Sequence, residues 1–192
     1  GPRMDCDASQ LLTYYFRGAN GVPYDYKGGN TFSCDFLPQE YSCCGGGDYR
    51  RHAFVVTGAD GSSAVDLRYS GHSITEGKYS IPGLPAAYSG GAQTCAIVLE
   101  DKRVGVRVTL RYGVFYDEDV ICRAVEVENT GTNALHLNRV MSMSMDFLSG
   151  EYELVHFYGR HFHEMNPERT PVGHGCFAIG SRRGVSGHQH NP

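Results

Sequence analysis

The sequence has no tryptophan, no apolar stretch near the roughly 20 residues that cross a bilayer, and no run of lysine or arginine. Each absence removes a class of function. With a net charge of -4 and 20% charged residues spread along the chain, nothing would track a phosphate backbone, so nucleic acid is not an expected partner. Without an apolar span or a charged-then-apolar leader, the chain reads as soluble, with no membrane partner. The missing tryptophan removes the usual stacking platform of a carbohydrate-binding module, leaving Tyr14, Tyr15, Tyr24, Tyr26, Tyr41 and Tyr49 as substitutes; tyrosines at strand edges are more often packing residues. Helical periodicity is also nearly absent.

What is present is a series of short segments rich in Val, Ile, Tyr, Phe and Thr, separated by Gly, Asp, Asn and Pro clusters. The fold class is therefore all-β, a large antiparallel β-sandwich, with enough length for one domain and a real core. Strands are expected over 52–57, 64–72, 94–99, 104–115, 120–129, 135–147 and 154–158. Turns fall at 59–62, 100–102, 117–119 and 129–132. From Val104 to Tyr112 apolar and polar residues alternate with period two, and Ile121, Arg123, Val125 and Val127 continue the pattern, as on a sheet with one packed face.

Gly1-Pro2 has the look of a cleaved-tag remnant, and Pro192 falls inside a polar, Gly-rich segment, so the chain reads as a domain truncated at one or both ends. Seven cysteines at irregular spacing favour a reducing, cytoplasmic compartment. Cys43-Cys44 has no CxxC partner, which speaks against structural zinc.

Cys44-Gly45-Gly46-Gly47-Asp48-Tyr49-Arg50-Arg51 joins a pliant backbone to a carboxylate and two guanidinium groups. No Gly-Lys-Ser/Thr follows, so it is not a phosphate loop. Its plain reading is a solvated loop in which Asp48 pairs with Arg50 or Arg51.

Glu40-Tyr41, Gly47 to Arg50, Ser73 to Lys78 and Pro82 to Ala86 resemble, in that order, the N-terminal domain of glycoside hydrolase family 36. Tyr158 to His161, Glu168 to Pro171 and Gly180 to Pro192 continue the resemblance; Gly187 and Met165 depart from it, where members commonly carry Ser and Arg. The resemblance implies a β-supersandwich that precedes a (β/α)8 barrel in a large retaining α-galactosidase. Both catalytic aspartates would then lie in that barrel, so no residue of this chain is assigned a catalytic role. It further implies a homotetramer in which an N-domain loop reaches a neighbour's active-site mouth. Asp48, Tyr49 and Arg50 are on this basis the expected galactoside-binding residues, with no cofactor and no metal. Transfer of galactose and action on N-acetylgalactosaminides stay open.

A rival reading takes His161-Phe162-His163 as two imidazoles on one strand face, with Glu168 and His174 completing a cupin-like metal site; His188-Gln189-His190 repeats the spacing. Asn166-Pro167 breaks the expected segment, and histidines bonded to backbone are the plainer account.

Overall fold

The computed structural model describes residues 2–6, 12–16, 39–45, 50–84, 86–88, 90–145, 147, 150–181 and 187. Among them there are strands and no helix, and none of the described residues forms a helix long and apolar enough to cross a membrane. The chain divides into two compact units, Gly1–Met145 and Asp146–Pro192.

In the first unit, β1 (Pro2–Cys6) pairs with β2 (Leu12–Phe16), and β3 (Phe54–Thr57) pairs with β8 (His136–Val140), both antiparallel. β4 (Arg68–Glu76), β5 (Ala92–Asp101), β6 (Val106–Phe115) and β7 (Val120–Asn129) form an antiparallel four-stranded sheet in that order. Residues directly opposite share a face, so Ile97, Leu110 and Val125 lie in one row and Leu99, Val108 and Val127 in the next. This face meets Phe54 and Val56 of β3, together with Tyr41, Cys43, Val65 and Leu67, in the main core. The result is two β layers around an apolar centre. Phe54, Val56, Val108 and Leu110 are fully buried, each worth about 1.5–3 kcal/mol of transfer free energy.

Burial changes sides along the sheet. On β5, Ala92, Thr94 and Ala96 are buried, then Ile97, Leu99 and Asp101, which point the other way. At the first end Tyr79 N donates to Thr94 Oγ1 (2.8 Å), and Thr94 Oγ1 donates to Gly77 O (2.7 Å), so the segment after β4 covers that face. At the second end the same face is wet and carries Arg107, whose guanidinium bonds Glu100 and Glu128 on either side (2.7 and 2.6 Å).

The second unit contains the antiparallel pair β9 (Glu153–Arg160) and β10 (His163–Pro171). β10 runs through the segment expected to be broken by Asn166-Pro167. A register shift between His163 and Asn166, with Met165 at φ 57°, takes up the irregularity, and Pro167 then sits opposite Phe157.

Three other expectations on strands are corrected. Residues 64–67 are not in a ladder: Val65 N donates to Cys44 O (2.8 Å) and Asp66 N to Asp101 Oδ2 (2.8 Å), while Val65 and Leu67 are buried. Alternating burial there mimics a strand without strand pairing. The strand expected to reach residue 147 stops at Val140, because its partner β3 is only four residues long. β1 and β2 fall where no strand was expected.

Candidate functional site

The glycine-rich loop leaves the core at Gly45 and returns at Arg50; Asp48 and Tyr49 lie outside the described residues. The stem of the loop is held by buried hydrogen bonds. Ser42 is fully buried and accepts twice, from Phe54 N at its carbonyl (3.0 Å) and from Ala53 N at its hydroxyl (3.1 Å). Cys43 bridges to Phe54, and its thiol donates to Val65 O (3.0 Å). Burial pushes that thiol up to about 11, so it is protonated at neutral pH and is neither a nucleophile nor a ready metal ligand. Gly45 has φ +105°, and a Cβ there would stand 3.2 Å from Ala64 Cβ, so both conformation and space call for glycine.

The two feet of the loop are tied to each other. Arg50 Nη2 donates to Gln39 O (2.9 Å), which assigns Arg50 a bracing contact at the base. Beside this tie, Tyr41 Oη donates to Met141 O (2.9 Å), and burial raises its phenol to about 12.

Glu40 is anchored to the four-stranded sheet. Its Oε1 accepts from Arg123 Nη1 of β7 (2.8 Å) and from Tyr112 Oη of β6 (2.7 Å), and the Glu40 and Arg123 side chains are each only 9% exposed. Arg123 also lies over the Tyr112 ring, Cζ 4.5 Å from its centroid, and Nη2 donates to Tyr112 Oη (3.2 Å). Arg123 Nε is buried with no hydrogen-bond partner among the described residues. Burial first, then the Glu40 carboxylate, drive the Tyr112 phenol well above its ordinary range, so it is a fixed donor. Glu40, Tyr112 and Arg123 were not assigned to the site from sequence. The available signal was Arg123 itself, a cation on the apolar face between Ile121 and Val125, which needs a buried acid.

The histidines of the rival reading do not share a strand face. His161 occupies the turn between β9 and β10, next to Phe162 at φ 63°, and His163 opens β10. Glu168 instead faces His156 across the pair, with Nε2 and Oε2 3.6 Å apart. Among the described residues no group of three or more His, Cys, Asp or Glu side chains is placed to hold a metal ion.

Among the described residues the first unit is a two-layered β module in which the base of a glycine-rich loop is tied to the core. The glycosyl hydrolase family 36 N-terminal domain profile matches residues 5–192, and the chain belongs to that family. It is 43% identical to the bifunctional alpha-galactosidase/sucrose kinase AgaSK of Mediterraneibacter gnavus over 194 residues, covering 100% of this chain and 21% of that protein. It is 43% identical to alpha-galactosidase AgaA of Geobacillus stearothermophilus over 165 residues, 84% of this chain and 23% of that protein. The crystal structure of an AgaA variant in complex with raffinose superposes with a TM-score of 0.83 at 37% identity, covering 98% of this chain and 29% of that one. The chain thus spans about a fifth of the length of these curated relatives.

Proposed function

We propose that this chain is the N-terminal accessory domain of a retaining α-galactosidase that removes terminal α-galactosyl groups from raffinose-type oligosaccharides. The observation that carries the proposal is the similarity along the whole chain, at 37% identity and a TM-score of 0.83, to a family 36 enzyme described with raffinose. Chemistry belongs to a catalytic barrel outside this sequence, where two carboxylates act as nucleophile and acid/base. The role of this domain is to bring its 45–50 loop to a sugar pocket, that of a neighbouring subunit in a homotetramer.

Within the loop, the Asp48 carboxylate accepts hydrogen bonds from galactose hydroxyls, while Tyr49 and Arg50 flank it. The stem supports this role, because Ser42, Cys43 and Gly45 fix the point from which the loop leaves the core. The unbridged thiols of Cys43, Cys44, Cys95 and Cys122 fit a cytoplasmic enzyme.

The test is proton NMR of raffinose hydrolysis by the full-length protein. Release of α-galactose before mutarotation is expected; β-galactose as first product, or no hydrolysis, would contradict the proposal.

A further inference from the structure

The stem of the loop is joined to the four-stranded sheet through a buried ion pair, and such pairs are poor sources of stability. Desolvating two charges costs about as much as their attraction returns, and an apolar replacement of equal shape is often as stable. What a buried pair supplies well is a defined geometry. Here Glu40 Oε1 is held by a guanidinium nitrogen from β7 and a phenol from β6, at 2.8 and 2.7 Å. Backbone bonds fix the stem from Ser42 onward, through Phe54 N to Ser42 O and Val65 N to Cys44 O. Ahead of Ser42, Arg50 Nη2 donates to Gln39 O, Glu40 Oε1 accepts from Arg123 and Tyr112, and Tyr41 Oη donates to Met141 O, so side-chain contacts help to set the entry angle of the loop.

We propose that Glu40, Tyr112 and Arg123 form a positioning unit that fixes the 39–45 stem from which the substrate-binding loop leaves, coupling galactoside affinity to the β6–β7 end of the sheet. This rests on the reading that the loop meets the sugar. The three residues touch no substrate themselves; they act through the stem. Glu40→Gln keeps the shape and removes the charge, leaving Arg123 without its counter-charge and the stem free to shift.

The experiment is a double-mutant cycle in the full-length enzyme, with KM and kcat measured on p-nitrophenyl α-galactoside for Glu40→Gln, Asp48→Ala and the pair. Glu40→Gln is expected to raise KM about tenfold with kcat changed less than about twofold. In the Asp48→Ala background it should add less than about twofold, because the group it positions is gone. Should Asp48→Ala raise KM while Glu40→Gln does not, the positioning role is overturned and the loop reading stands. Effects that multiply would also overturn it, since Glu40 would then act by another route. An unchanged KM for Asp48→Ala removes the loop reading, and this inference with it. If Glu40→Gln does not fold, Tyr112→Phe decides on the same criteria; it removes one donor to Glu40 and should raise KM about threefold.

Discussion

Gly45 is the residue where the stem of the loop gives way to its tip, and replacing it with alanine has two separable costs. The first is conformational: at φ +105° a side chain is strained by about 1–2 kcal/mol. The second is steric, because the new Cβ stands 3.2 Å from Ala64 Cβ and 3.3 Å from Ala64 Cα, with Val65 N at 3.5 Å. Relief requires residues 64–65 to move away from Cys44, against the 2.8 Å bond from Val65 N to Cys44 O. Overpacking of this kind costs a further 1–3 kcal/mol or so. Gly61 supplies the control, with φ +79° and nothing within 4 Å of a Cβ, so Gly61→Ala carries the first cost alone. Native-state hydrogen exchange at the Val65 amide, together with urea unfolding, separates the two. Gly45→Ala should destabilise by about 2–5 kcal/mol and accelerate exchange at Val65, whereas Gly61→Ala should cost about 1–2 kcal/mol and leave Val65 protected. Equal costs for the two variants, or an unaffected Val65 amide, would refute the close-approach argument.

Two further outcomes follow from the core. Leu110→Ala empties a fully buried position between β3 and the sheet and should destabilise by about 2–5 kcal/mol in urea unfolding; a loss under about 1 kcal/mol would mean the two layers do not meet there. Alkaline pH should also unfold the domain, since burial raises Cys43 from 9.0 to about 11 and Tyr41 from 10.0 to about 12. Both keep protons that the unfolded chain releases, so the stabilisation is complete below pH 9 and falls as pH rises towards 11 and 12, by about 3 kcal/mol for each group. Tyr41→Phe should flatten that fall in a stability profile followed by circular dichroism.

The sheet was the legible part of this sequence. Val104 to Tyr112 alternates strictly, and its period-two pattern is the observed core face of β6, with Val106, Val108, Leu110 and Tyr112 inward. The change of face on β5 was legible in principle, as the adjacent apolar pair Ala96 and Ile97 where the buried side switches. Residues 64–67 misled because burial set the pattern while Cys44 O and the Asp101 carboxylate, not a strand, took up their backbone donors. β10 was hidden because its bulge places Met165 at positive φ and brings Pro167 into a ladder. Of the site, the loop could be read from its glycines, and Arg50 is found bracing its base. The ion pair beneath it spans 83 positions of sequence, from Glu40 to Arg123, and no local pattern links the two.

A side-by-side assay on an aryl α-galactoside, at equal molar concentrations of the full-length protein and of this 192-residue chain, tests the central claim most directly. A presenting domain should leave all turnover with the full-length protein and none with the chain. Hydrolysis by the chain alone, or an inactive full-length protein, would contradict it.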